Sequence, residues 1–564
     1  MTRGAACCAA LLVCLVAVAC AAAQVRAPGS AGAPGLPTAL PGTAVRSDQL
    51  VTPARVDVPP AGHVLTATQA GAKADARDEV RSARRTYPGS TREVFLKGPD
   101  RWQVSYFAKV PAGAPRKEIA QVLIDDRSGA VMEAWKDFYV PWTMARGYPG
   151  AFGRIVNAPF VWIPLALLFV VPFLCRPLRM LHLDLLVLSA FSISLAFFNA
   201  ANVETSVPIV YPLLLYLLGR MLWIGLRGRD ARSLAQQPLR LLVPVTWLAI
   251  AIVFLLGFRI ALNIMNSNVI DVGYAGVIGA DRIMDGKKLY GAFPKDNANG
   301  DTYGPVVYES YIPFEQALKW SGRWDDLPAA HAAAIVFDLL ACLLCFLVGR
   351  RVRGPDLGIV LAYAWASFPF TLYALMSNAN DALVAVLVLA AMWASGSAPA
   401  RGAYVALAGL TKFAPLALGP LFACHPRPRL RTILSFAAGF AAAAALAFAP
   451  ILAHNDVRSL WDVTIGFQAQ RGSPFSVWGL YDPDVGWLDS AQRAVQGAAV
   501  ILAIVLAFVP RRRDLVGLAA CAAAILIALQ LGVSHWFYLY IPWFFPLVMI
   551  ALLGRSGAPA RRAA

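Results

Sequence analysis

The chain has 564 residues, is 58% hydrophobic and only 15% charged, and its mean hydropathy of +0.57 excludes an ordinary soluble protein. A formal charge of +17 would suit a nucleic-acid binder if the basic residues shared one face. They fall instead in short clusters between apolar runs: RPLRM (176–180), RGRDAR (227–232), GRRVRG (349–354), HPRPRLR (425–431), PRRRD (510–514) and RSGAPARR (555–562). This is the positive-inside pattern of cytoplasmic loops, so membrane lipids are implied as surroundings and nucleic acid is not a partner.

Residues 1–24 carry one early Arg, an apolar core and small residues at Ala21 and Ala23, which predicts a signal peptide or an anchor. Residues 25–60 are rich in Ala, Pro, Gly and Val and read as a linker. Over 61–145, a helix-permissive stretch precedes Trp102, Val104, Tyr106, Ala108 and Val110, which alternate as a strand with one buried face. A second strand is predicted at 121–125, then a DRSG turn and a third strand at 130–135. One helix followed by three strands ending in VLIDDRSGAVMEAW resembles a PepSY-like module, which implies a small α+β accessory domain outside the membrane.

Apolar runs predict membrane helices near 156–175, 182–199, 206–224, 240–261, 328–349, 355–376, 381–396, 432–452, 491–509, 514–532 and 536–553. The stretch 402–424 would invert every later loop if it crossed. A re-entrant pair broken near Lys412 and Pro415 preserves the charge rule. The fold expected is an α-helical polytopic membrane protein of about eleven spans plus this pair, with accessory helices at 156–224 and the main membrane domain at 240–553. The Cys342/Cys345 pair has CxxC spacing but sits inside a predicted helix without a second ligand pair, so no metal site is expected.

Chemistry-bearing residues concentrate in the predicted external loops. The loop 262–327 holds six acids and five tyrosines between Asn268 and Phe314. Asp271 follows a predicted helix end near Leu262 closely enough to sit at the membrane surface, beside Tyr274. Asp301 and Tyr303 lie later in that loop, and Asn378, Asn380 and Asp381 fill a short outer turn. Arg471, Ser476 and Trp478 belong to the long connection 453–490, and His535 caps the last hairpin. A carboxylate among aromatic and amide groups suits sugar chemistry: a base takes a hydroxyl proton, and hydrogen bonds orient a polyol. A cation such as Arg471 or Lys412 would neutralise a phosphate leaving group. Asp381 reads equally as a helix cap, and His535 as part of an interfacial aromatic belt. Asp338, in mid-helix, needs a partner, and Lys412 is the natural one, either structurally or beneath a lipid-phosphate site.

DVGYAGVIGADRIMDGKKLYG and then GDTYGPVVYESYIPF resemble the first external loop of GT-C membrane glycosyltransferases. IVFDLLACLLCFLVGRR, SNANDALVAVLVLAAMWA and GLTKFAPLALGPLF are similar to helices of their polyprenyl-phosphate-mannose-dependent α-mannosyltransferase branch. The resemblance covers about 240–553 and implies a glycosyltransferase whose catalytic base falls on Asp271. It further implies a polyprenyl-phosphate sugar donor, a lipid or glycan acceptor outside the plasma membrane, and no cofactor, neither nucleotide sugar nor obligatory metal. The branch often has GQxD where this chain has Asn378-Ala379-Asn380-Asp381. Mannose is the first sugar expected, with arabinofuranose and glucose behind it. A secondary transporter built on Asp338 and Lys412 is the rival reading.

Overall fold

The computed structural model describes residues 50–98, 100–111, 116–141, 144, 151–175, 179–227, 239–294, 297, 299–322, 327–467, 473–481, 486–510 and 514–554. The expected signal segment, most of the linker and the C-terminal basic tail lie outside them. The chain divides into two compact units, Arg26–Ala151 with Gly322–Asp326, and the remainder.

In the first unit, β1 (Leu50–Val51) precedes α1 (Ala67–Asp75) and α2 (Asp78–Thr86). Where one helix was expected, two form, because Arg77 is extended (φ −79, ψ 142) at the start of α2. Thr66 opens α1 with a reciprocal cap: its hydroxyl accepts the Gln69 N–H, and the Gln69 side chain accepts the Thr66 N–H. An antiparallel sheet follows in sequence order through β2 (Thr91–Lys97), β3 (Arg101–Phe107), β4 (Glu118–Asp125) and β5 (Val131–Lys136). β2 was not expected. It is set by unbroken pairing with β3, from Thr91 opposite Phe107 to Lys97 opposite Arg101. Ala67, Ala70, Val80 and Ala83 cover Trp102, Val104, Tyr106, Val122 and Ile124. Gln103 and Ser105 of β3 are buried as well and hydrogen-bond each other at 3.2 Å.

Asp126 locks the entry to α1. Its carboxylate accepts the N–H groups of Val64 (2.8 Å) and Leu65 (3.0 Å) and the Trp102 indole N–H (2.7 Å). Burial pushes its carboxyl up, but these donors together hold it below the usual 3.8. A depressed folded-state value gives stability that is present above about pH 4 and is lost as pH falls through that value. Asp126→Ala strands three donors, so the unit should lose about 3 kcal/mol. Thermal melting of the full chain, with the loss shrinking towards acid pH, checks this.

The second unit is mostly helical: α3 (Pro159–Val170), α4 (Met180–Asn199), α5 (Val203–Leu226), α6 (Val245–Asn266), α7 (Asp271–Met284), α8 (Pro305–Ala317), α9 (Pro328–Arg353), α10 (Pro355–Ser367), α11 (Pro369–Met376), α12 (Asp381–Trp393), α13 (Ala398–Gly409), α14 (Leu430–Leu452), α15 (Gly486–Phe508), α16 (Leu515–Leu531) and α17 (Ile541–Leu553). Every predicted apolar run contains a helix. Among the described residues, six (α4, α5, α6, α9, α14 and α15) are long and apolar enough to cross a membrane, against the eleven expected. Counting α10 and α11 as one span makes seven; they bend by 56° where Pro369 interrupts the helix. α12, α16 and α17 are apolar but shorter.

The 398–425 stretch breaks after Gly409, where the re-entrant pair was expected to break, and continues as a 3₁₀ turn (Ala414–Leu418) and a short helix (Gly419–Ala423). The buried Arg401 guanidinium donates to the carbonyls of Ser395, Phe422 (3.1 Å) and His425 (2.7 Å). The segment therefore returns to the end it left. A second buried cation joins other helices. Arg259 of α6 donates to both Asp338 oxygens of α9 (2.9 and 2.5 Å), and the Trp365 indole of α10 donates to the same carboxylate (2.9 Å). This corrects the expected Asp338–Lys412 pair: Asp338 faces α6 and α10.

Candidate active site

The loop expected over 262–327 is largely helical. α6 runs on to Asn266, and Asp271 is the first residue of α7. A negative charge is favoured at a helix N-terminus. Asp271 is exposed, whereas Val272 to Ala280 behind it are all buried. The head of α7 is fixed by the turn at 377–380. Asn263 Nδ2 donates to the Leu375 carbonyl and to Asn378 Oδ1, both at 2.8 Å. Asn378 Nδ2 donates to the Asn268 carbonyl (2.9 Å) and to Ser267 Oγ (3.0 Å). The Asn268 N–H reaches the Met376 carbonyl, and the Ile270 N–H that of Ser377. Asn378 adopts φ 48°, the left-handed region that Asn tolerates better than most residues. Gly273 lies so close to the Asn378 carbonyl that a Cβ there would collide with it. Asn378, expected to bind substrate, thus positions Asp271 through the backbone. Tyr274 is buried edge-on against Trp320, so it supports α7 rather than facing an opening.

Asn297 extends the connection. Its Nδ2 donates to the Asp271 carbonyl at 3.1 Å, and its own carbonyl accepts the Gly300 N–H at 2.8 Å. Asp301 is buried and accepts the Gly291 N–H at 2.6 Å. Burial pushes its carboxyl above the ordinary range against the pull of that N–H. Beyond Tyr303 the chain meets the 398–425 segment, where Gly304 packs against the Leu410 carbonyl and Val306 donates to it (3.2 Å).

In that segment Lys412 meets Asp381 at 2.8 Å. The ammonium also lies 5.5 Å from the Tyr303 ring, 5.7 Å from Tyr540 and 5.5 Å from Trp543, a cation–π cage. The Trp543 indole donates to the same Asp381 oxygen (2.9 Å). Asp381 is the first residue of α12 but makes no side-chain cap; its carboxylate belongs to the cage. Beside it, four buried polar atoms have no hydrogen-bond partner among the described residues: Asn380 Nδ2 and Oδ1, Asp381 Oδ2 and the Tyr311 hydroxyl. Burial first and the Asp381 charge second push the Tyr311 phenol up. Unsatisfied buried polar groups are costly and are tolerated where a ligand or water completes them.

Glu309 on α8 was not singled out in the sequence. Its Oε1 is buried without a partner, and burial pushes its carboxyl from the usual 4.5 to about 7. A raised acid is penalised as soon as the unfolded chain ionises. Stability should therefore fall from about pH 4.5 upward and level off above about pH 7. Glu309→Gln should flatten that slope, measured as the melting temperature at about pH 5 against about pH 8.

Ser476, Trp478 and His535 knit the 473–481 and 531–535 segments together. Ser476 Oγ donates to the Ser534 carbonyl (2.7 Å), the Trp478 indole to the Leu531 carbonyl (2.8 Å), and His535 Nδ1 contacts Ser473 Oγ (2.8 Å). Their polar atoms serve this lock. His535 is joined to the cage through its ring contact with Tyr540 at 6.5 Å. Arg471 lies outside the described residues.

The structure therefore brings together Asp271, Asn378, Asp301, Tyr303, Asn380, Asp381 and Lys412, and adds Asn263, Asn297, Tyr311 and Trp543. The added residues had no local sequence signal, since each acquires its place from a different segment: α6, the connection between α7 and α8, α8 and α17. No curated protein and no solved structure matches the chain. Residues 302–531 match the family model of Glycosyltransferase family 87, a GT-C-type family, and this similarity, together with the apolar helices, indicates a multi-pass membrane glycosyltransferase.

Proposed function

We propose that the protein transfers a sugar, mannose before arabinofuranose or glucose, from a polyprenyl phosphate to a lipid or glycan acceptor on the outer side of the plasma membrane. The carrying observation is the exposed carboxylate of Asp271 at the rigid head of α7, joined by the 297–303 loop to the buried Lys412–Asp381 cage. Asp271 takes the proton of an acceptor hydroxyl, and that oxygen bonds to the anomeric carbon. The bond from that carbon to the phosphate oxygen breaks, and polyprenyl phosphate leaves with the electron pair. Lys412, with Arg471 as a second candidate, neutralises the charge that develops there. Asp381 keeps the ammonium in place, while Asn380 and Asp381 offer their open donors and acceptors to sugar hydroxyls. The N-terminal unit is read as an accessory, PepSY-like binding domain outside the membrane.

The test uses the full chain in nanodiscs with radiolabelled polyprenyl-phosphate mannose and a membrane lipid extract. Label should enter a new product with wild type and not with Asp271→Asn. Absence of transfer from mannose, arabinofuranose and glucose donors alike would overturn the reading.

A further inference from the structure

A cavity of about 570 Å³ opens beside the loop that carries Asp301 and Thr302. One wall is that loop, with Phe293, Asp301 and Thr302. The other is the π-helical turn Asp462–Gly466 and Phe467. Single π turns are frequent at functional sites because they displace side chains from the regular helical register. The volume falls within the range of about 300–1,000 Å³ typical of small-molecule sites.

The cavity's chemistry is one-sided. Its described lining carries two carboxylates and no cation; Arg458 approaches Asp462 at 3.9 Å but is itself exposed. Asp301, Thr302 and the Phe293 and Phe467 rings supply acceptors, a hydroxyl and apolar faces. A phosphate in this space would face Asp301 and Asp462 with no cation among the described lining residues to offset them. An uncharged polyol meets acceptors for its hydroxyls and rings for its C–H faces. The wall is also tied to the base: Asn297 bonds the Asp271 carbonyl on one side and the Gly300 N–H on the other, and Gly300 packs on Phe293.

We propose that this cavity is the acceptor subsite and takes an uncharged saccharide unit, not an anionic lipid headgroup. The assignment rests on the glycosyltransferase reading and divides its two substrates. The phosphate-bearing donor is assigned to Lys412, and the neutral acceptor to the cavity that Asp301 and Asp462 line.

Gly466 provides the test. Gly466 lines the cavity, and a Cβ there meets nothing closer than the Trp461 carbonyl at 3.5 Å, so the backbone accepts a larger side chain. The full chain in nanodiscs is assayed with labelled polyprenyl-phosphate mannose and, as acceptors, methyl α-mannobioside or phosphatidylinositol vesicles. Gly466→Phe should raise the KM for methyl α-mannobioside at least about tenfold while the donor KM stays within about twofold. Asp301→Asn keeps an acceptor for the Gly291 N–H and should raise the same KM about tenfold; it carries the test if Gly466→Phe fails to assemble. Unchanged acceptor KM in both variants overturns the assignment, as does transfer to phosphatidylinositol alone. Saturation-transfer NMR with methyl α-mannobioside and no donor separates this inference from the enzymatic reading. Contact with wild type that Gly466→Phe abolishes upholds the saccharide cavity even if no sugar is transferred, and no contact with wild type overturns it.

Discussion

Asp271→Asn should lower sugar transfer by a factor of about 10²–10⁴, the usual worth of a positioned general base. The change is isosteric but leaves an amide that cannot take the proton. Folding should survive it. Asp271 is exposed at the first position of α7, so the structural loss is confined to the helix-dipole interaction, about 0.3–1 kcal/mol. Donor binding should also persist, because the proposed phosphate contact belongs to Lys412 and not to Asp271. Initial rates, donor KM and a melting curve on one preparation check all three points. A variant retaining transfer within about threefold of wild type would remove Asp271 from the chemistry.

Asp338→Ala should be the most destabilising of the substitutions considered, at about 3–5 kcal/mol. Arg259 is fully buried, and removing the carboxylate leaves its guanidinium with only the Ala366 carbonyl and Thr371 Oγ1 as acceptors. It also strands the Trp365 indole N–H. Replacing both partners by apolar residues, Arg259→Met with Asp338→Leu, removes the unpaired charge and should recover most of that stability. Melting in nanodiscs gives the comparison, and transfer activity supplies a second readout. If the pair is purely structural, the double variant keeps near-normal transfer. If it were part of a transport path, the double variant would be stable but inactive.

The two pairs explain what was readable beforehand. Asp338 and Lys412 were each recognisable as charges that need partners, because an ionised group among apolar neighbours is costly wherever the chain places it. Their partners were not readable: Arg259 sits 79 residues from Asp338, and Asp381 sits 31 from Lys412. A one-dimensional pattern of apolar residues fixes where helices form and leaves open which helices touch. The same limit hid Glu309 and Tyr311, which look like ordinary loop residues until α8 is seen packed against α7. It also made Asn378 look like a substrate contact when its amide holds the 268–270 backbone.

The sequence alone determined the helix positions, the small α+β unit ahead of them, the break near Lys412, and the prominence of Asp271. All of these are local properties: apolar run length, alternation, the placement of Pro and Gly, and a carboxylate just beyond a helix end. Only the tertiary structure decided that Asp271 heads a helix anchored by Asn378, that Lys412 is caged by Asp381 and three aromatic rings, and that a cavity opens beside the loop that carries Asp301 and Thr302. Those are products of packing between segments far apart in the chain, where shape and buried hydrogen bonding select the partner and no local periodicity encodes it.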